Sequence, residues 1–212
     1  MKVVLIGPPG AGKGTLANLL AQRDGFATFS TGDALRDEIK TGSELGQQID
    51  ELISNGFFVP NNLSALITKQ AVERNSGDLI LDGFPRNLEQ VRLFEQFCVP
   101  DLVLYLETDK ETIMKRLLSR RVCSKCSLTY NLLFADSRIE DICDNCGGNL
   151  IKRPDDDLIK INIRLEIYQT ITLPIVTYYQ QRQMLKTIDG RQSPEQIYNQ
   201  VKNAVDSRRK LK

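Results

Sequence analysis

The residues 7–15, Gly-Pro-Pro-Gly-Ala-Gly-Lys-Gly-Thr, combine the types that bind phosphate. Glycines let backbone N–H groups converge on anionic oxygens with no Cβ in the way. Lys13 adds a full positive charge, and the Thr15 hydroxyl can hold a Mg²⁺ ion. Phosphate loops usually carry Ser or Thr directly after the Lys; here Gly14 intervenes and Thr15 follows it. A helix starting at this point adds partial positive charge at its N-terminus.

A second constellation is made of sulfur. Cys123-x₂-Cys126 and Cys143-x₂-Cys146 have the spacing of a two-knuckle zinc site. Four thiolates leave no open coordination position, so the ion expected there is structural. Two disulfides or four unrelated thiols are the competing readings of the same spacing, and a reducing compartment disfavours the disulfides. A four-cysteine site can also mark a nucleic-acid-binding ribbon. The acidic residues Asp136, Glu140, Asp141 and Asp144 outnumber Lys125 and Arg138 in this segment, which argues against that. The fifth cysteine, Cys98, reads as a small apolar residue. The chain has no histidine, which removes imidazole from acid–base catalysis and from metal ligation.

Elements must position these groups. Apolar runs at 3–6, 27–30, 79–81, 102–106 and 186–188 alternate with helical patterns. That alternation predicts an α/β layered fold on a parallel sheet. The first run enters the glycine loop as a buried strand, and residues 16–21 leave it as a helix. Ser193, Pro194 and Gln196 predict a capped start for the last helix, with Ile197, Val201 and Val205 as its buried stripe. The basic end 208–212 reads as a frayed tail. Two insertions interrupt the alternation: a polar helical one from Thr31 to Val59, and the cysteine segment from Arg120 to about Asp157. A β lobe that small needs its metal to hold together.

With 212 residues, 41% of them hydrophobic, and a net charge of +1, the chain can fill a core. That balance gives no long-range pull toward nucleic acid or membrane. No run has the length of a membrane span, and the phosphate loop begins at residue 7, so a cytoplasmic location and no cleavable leader are the expectation. No apolar stripe calls for a partner, which makes a monomer the expectation.

Six segments then carry a resemblance. They are 7–15, Ser30-Thr-Gly-Asp-Ala-Leu-Arg36, Leu81-Asp-Gly-Phe-Pro-Arg86, Arg120-Arg121-Val-Cys123, Arg153-Pro-Asp-Asp156 and Arg164-Leu165. In order and spacing the chain resembles the nucleoside monophosphate kinases, specifically adenylate kinases with a long zinc-bearing lid. The resemblance implies the reaction ATP + AMP ⇌ 2 ADP with Mg²⁺. It implies a P-loop five-stranded parallel sheet with helices on both faces, a helical AMP-binding insertion and a small β lid. The divisions would be 1–29, 60–119 and 158–212 for the core, 30–59 for the AMP lobe and 120–157 for the lid.

The same resemblance assigns residues. Gly10, Ala11, Gly12, Lys13, Gly14 and Thr15 would take the ATP phosphates, with Arg120, Thr129, Tyr130 and Gln192 on the ATP side. Thr31, Arg36, Phe57, Phe58, Val59, Gly83, Phe84, Pro85, Arg86, Gln90, Arg153 and Arg164 would form the AMP side. Lys13, Arg86, Arg120, Arg153 and Arg164 would be catalytic. Thr15 and Asp82 would organise Mg²⁺, Asp155 and Asp156 would anchor the lid hinge, and Cys123, Cys126, Cys143 and Cys146 would hold Zn²⁺. Arginine suits such work because its planar fork binds phosphate bidentately and stays charged. Arg23, Arg92, Arg138 and Arg182 lie outside the motifs and read as surface ion-pairing residues. Gln90 carries both donor and acceptor for a base, and at four residues after Arg86 it could share one helix face with it. Asp155 and Asp156 could equally cap the helix that holds Arg164.

Two departures stand out. Leu158-Ile159 replaces the acidic residues that usually follow the paired aspartates, and Asn131-Leu-Leu-Phe-Ala-Asp136 stands where Pro-Pro-Lys is usual. The rival readings are a kinase for UMP, CMP or GMP, and a non-catalytic NTP-binding zinc-ribbon regulator.

Overall fold

A computed structural model describes residues 1–55, 57–134 and 137–210. The main sheet is wholly parallel, in the order β2-β3-β1-β4-β8. Its strands are β1 (Lys2–Ile6), β2 (Ala27–Ser30), β3 (Leu79–Asp82), β4 (Leu102–Glu107) and β8 (Leu185–Asp189). Each predicted apolar run is one of these strands. Successive side chains point to opposite faces, and both faces of the central strands β1, β3 and β4 are covered, so these three read as continuous apolar runs. Val3 and Leu5 pack on one face with α1 (Lys13–Asp24) and α9 (Pro194–Arg209). Val4 and Ile6 pack on the other with residues of α4 (Asn61–Arg74), α5 (Leu88–Glu95) and α8 (Pro174–Gln181).

The glycine loop runs from the end of β1 to the start of α1. Gly10 sits at φ +81, and a Cβ there would meet Leu117 Cγ at 2.9 Å. Both facts restrict the position to glycine.

The first insertion folds as α2 (Thr31–Lys40) and α3 (Glu44–Ser54). Leu35, Ile49 and Val59 form its core, with Leu63 and Ile67 of α4 packed beneath. The second carries a three-stranded antiparallel sheet, β5 (Arg120–Cys123), β6 (Thr129–Asn131) and β7 (Leu150–Ile151). Its buried residues are Cys123, Tyr130, Cys143 and Leu150, so half of that core is sulfur. Lys40 Nζ donates to Ser127 Oγ at 3.4 Å, joining α2 to this small sheet's knuckle.

Helix α6 (Lys110–Leu118) enters the second insertion and α7 (Leu158–Ile167) leaves it. Asp157 caps α7, accepting from Lys160 N at 2.9 Å. The capping role considered for Asp155 and Asp156 therefore falls to the next residue, because arginines occupy both of their carboxylates. The capping box at Ser193 and Gln196 forms as expected.

The frayed tail needs correction at 208–210; residues 211 and 212 lie outside the described residues. Helix α9 continues through Arg209, whose guanidinium lies 5.4 Å from the Phe26 ring and pairs with Asp78. Arg208 Nε donates to Asp101 O at 2.7 Å. Cations in a last turn complement the helix dipole, and their stems cover apolar surface. Arg23 and Arg182 make the surface pairs expected of them, with Glu195 and Glu95.

Candidate functional site: a cationic cleft at the strand ends

One cleft of about 990 Å³ opens at the carboxyl ends of the parallel strands, between the two insertions. Ligands of open α/β sheets bind in this place. Gly10 to Thr15 line it, as do Thr31, Arg36, Phe57, Phe58, Val59, Asp82, Gly83, Pro85, Arg86, Gln90, Arg120, Thr129, Tyr130, Arg153, Asp155, Arg164 and Gln192. Two residues of the assigned set stand behind the wall. Phe84 is 1% exposed and packs edge-on against Phe94 in the sheet core. Asp156 is 0% exposed.

The cations reach the cleft from separate segments. Lys13 Nζ donates to the carbonyls of Gly7 and Pro8, at 2.8 and 3.0 Å. Withdrawal from water pulls Lys13 down to about 8; Asp82 opposes this, and Arg86, Arg164 and Arg120 add to it. Arg86 leaves the β3 end through a tight turn and donates Nε to Gly83 O at 2.8 Å. Gly83 is at φ +88, a left-handed conformation that L side chains rarely adopt, so the turn that presents Arg86 favours glycine there. Desolvation first, then the neighbouring Arg164 and Arg36, draw Arg86 down to about 10 against Asp82.

Arg120 makes a bidentate pair with the buried Asp156 at 2.7 and 2.6 Å. Arg164 Nη1 reaches Asp155 Oδ2 at 2.8 Å and Asp156 Oδ1 at 3.1 Å. Asp155 stays below the usual carboxylate range: burial opposes this, but Arg164, Arg120 and Arg153 prevail. Two carboxylates thus hold two guanidiniums from opposite ends of the second insertion. Arg36 pairs with Asp33 within α2.

Arg153 differs from the others. Its Nε is buried with no hydrogen-bond partner. Desolvation and then Arg120 and Arg36 lower it to about 9. The Thr31 hydroxyl, on a residue 3% exposed, is also buried and without a partner. Unpaired buried donors are expensive, and an anionic ligand would relieve both.

Gln90 is 2% exposed, and its Oε1 accepts the Arg86 backbone N–H at 2.7 Å. The shared helix face considered for these two residues is replaced by this bond, because Arg86 precedes the Asn87 cap of α5. Tyr130 lines the cleft, but its hydroxyl is committed elsewhere. It accepts from Asp144 N at 2.8 Å and lies 3.4 Å from Cys143 Sγ. Its bond to Cys143 comes first among the causes that draw that thiol down to about 6. Gln192 Oε1 accepts from Gln200 Nε2.

The four cysteine sulfurs lie within 4.8 Å of one another, with Cys123–Cys146 at 3.4 Å and Cys126–Cys143 at 3.6 Å. Knuckle backbone N–H groups of Lys125 and Cys126 point at Cys123 Sγ. A tetrahedral thiophilic ion fits this donor set.

Sequence reasoning passed over Arg116. It lines the cleft from α6 and donates to Gly190 O at 2.7 Å. Its signal was the spacing of four residues to Arg120, outside any motif. It also passed over Asn61, whose amide contacts Gln90 from behind.

A phosphate loop, flanking cations and two lobes around one cleft at the ends of a parallel sheet define a P-loop nucleotide-binding phosphotransferase. A model of the adenylate kinase family matches residues 5–184. The adenylate kinase of Thermoanaerobacter sp. is 36% identical over 217 residues, covering 99% of this chain and 100% of that protein. That of Fervidobacterium nodosum is 37% identical over 204 residues, covering 93% and 94%. The Clostridium acetobutylicum adenylate kinase is 35% identical, covering 97% and 99%. The chain belongs to the adenylate kinase family.

Proposed function

We propose that this protein is an ATP:AMP phosphotransferase whose chemistry is alignment and charge. The observation that carries this reading is the convergence of Lys13, Arg86, Arg120, Arg153 and Arg164 on one cleft, with Arg153 Nε and Thr31 Oγ1 left unpartnered. Phosphoryl transfer asks little covalent chemistry of a protein. It asks for in-line reactants and cations around the moving group.

The loop 10–15 cradles the ATP phosphates with backbone N–H groups, and Lys13 follows the transferred group. Arg36, Arg86 and Thr31 hold the AMP phosphate. Arg120, Arg153 and Arg164, two of them anchored by Asp155 and Asp156, lie over the bridging oxygens. Phe57, Phe58, Val59 and Gln90 enclose the acceptor base; Thr129, Tyr130 and Gln192 border the ATP side, where Tyr130 serves through its backbone. Thr15 and Asp82 face the same cleft with the hydroxyl and carboxylate that suit Mg²⁺, and this ion neutralises phosphate charge when bound. The four cysteines suit Zn²⁺ as a structural ion. In this division of the chain, 30–59 and 120–157 are the lobes that close and shed water from the core.

The decisive test is ADP formation from ATP and Mg²⁺ with AMP present or omitted. AMP-dependent turnover supports the reading. Preference for UMP over AMP transfers it to another monophosphate kinase, and ATP binding without transfer points to a regulator.

A further inference from the structure

We propose that Asn61 is a positioning residue that fixes which way the Gln90 amide faces the acceptor base, and so sets the choice between 6-amino and 6-oxo purines. The inference rests on the reading above that Gln90 meets that base.

A hydrogen-bond relay carries the argument. Asn61 Nδ2 donates to Glu89 Oε2 at 2.7 Å. A carboxylate only accepts, so Asn61 must turn its nitrogen there and its oxygen the other way. That oxygen accepts from Asn87 Nδ2 at 2.9 Å and Gln90 Nε2 at 3.0 Å, which fills both lone pairs. Asn87 has one sense too, because its Oδ1 accepts from Gln90 N as the cap of α5. At the far end the Arg86 backbone N–H, a donor only, gives to Gln90 Oε1 at 2.7 Å.

The relay therefore starts on a pure acceptor and ends on a pure donor. Chemistry alone fixes the sense of both amides between them. Turning Gln90 over would set its oxygen against Asn61 Oδ1 and its nitrogen against the Arg86 N–H. Gln90 lines the cleft and is 2% exposed; Asn61 stands behind it, outside the lining.

Gln90 keeps one lone pair and one N–H for a ligand. Adenine offers an amine beside an unprotonated ring nitrogen. A 6-oxo purine offers a carbonyl beside a ring N–H, the opposite sense. An amide free to flip serves both edges, and a locked one serves one of them for a given base pose. Unpaired buried groups make such discrimination strong.

The test compares AMP and IMP as acceptors with ATP in wild type, Asn61→Leu, Asn61→Asp and Gln90→Ala. Asn61→Leu removes one of the two bonds that set the sense of the Gln90 amide and leaves the Arg86 N–H alone to hold it. It should lower the AMP/IMP ratio of kcat/KM by about 10-fold, the scale of one hydrogen bond, with KM for ATP unchanged. Asn61→Asp keeps an acceptor toward Gln90 but sets a second carboxylate against Glu89, so it should restore most of the ratio only when combined with Glu89→Gln, whose amide can donate to it. Glu89→Ala, at the exposed end of the relay, lets Asn61 turn and should give a smaller loss in the same direction; it serves if Asn61→Leu does not fold. A merely structural Asn61 would weaken both acceptors equally. An intact ratio in Asn61→Leu and Glu89→Ala, with collapse in Gln90→Ala, overturns the positioning role alone. An intact ratio in Gln90→Ala overturns the reading of Gln90 itself, and the inference with it.

Discussion

Lys13 shows what a single residue contributes. Its ammonium is held by two loop carbonyls while desolvation lowers its pKa from 10.5 to about 8. A lysine lowered on folding opposes stability while charged, below pH 8, and that opposition lifts as pH rises from 8 to 10.5. ATP phosphates reverse the balance and draw the proton back. ATP binding at pH 8 should therefore take up a fraction of a proton, seen by calorimetry in buffers of different ionisation enthalpy. Lys13→Met should abolish the uptake and slow turnover by orders of magnitude. Arg153→Lys should slow turnover by about 100-fold with KM for ATP little changed, since an ammonium lacks the planar fork. The family resemblance pointed to residues 13, 86, 120, 153 and 164, and the fold brings all five to one cleft. That Arg153 alone keeps a buried, unpaired Nε was not legible in sequence, because pairing depends on Asp155 and Asp156 reaching Arg120 and Arg164 first.

At the scale of elements, the small β5–β6–β7 sheet has a core that is half sulfur. Its core is two cysteines, one tyrosine and one leucine. Cys143→Ser should lower the melting temperature and loosen the metal, while turnover at low temperature survives; complete loss of activity in a folded variant would overturn a purely structural ion. Tyr130→Phe strips the acceptor from Asp144 N and the neighbour from Cys143 Sγ. It should cost about 1–2 kcal/mol and weaken metal binding about 10-fold, measured by chelator competition. The spacing of the four cysteines announced this lobe. The role of Tyr130 was hidden, because nothing local distinguishes a ring facing a nucleotide from one facing sulfur. The hinge aspartates were ambiguous for a similar reason: Asp155, Asp156 and Asp157 are adjacent, and only the start of α7 made Asp157 the cap.

At the scale of the molecule, the sheet is the frame on which everything depends. Leu104, 0% exposed at its centre, should cost about 3 kcal/mol as alanine, with a fall in melting temperature of about 10 °C and unchanged KM values. No helix among the described residues is long and apolar enough to cross a membrane. Apolar side chains do stand exposed at Leu133 (63%), Phe134 (67%), Leu158 (55%) and Ile159 (74%). These are adjacent apolar residues in two short segments, Leu133-Phe134 and Leu158-Ile159, rather than a stripe along one element.

The sequence by itself determined the strands, the glycine loop, the paired cysteine knuckles and the cations that reach the cleft. Those depend on local order: short apolar runs, glycine in a turn, a fixed spacing of thiols. Tertiary structure decided which donors remain unsatisfied and which way each amide points, as at Thr31, Arg153 and Gln90. Such facts belong to contacts between residues far apart in the chain, and a hydrogen-bonding group has no sense until its partner is in place.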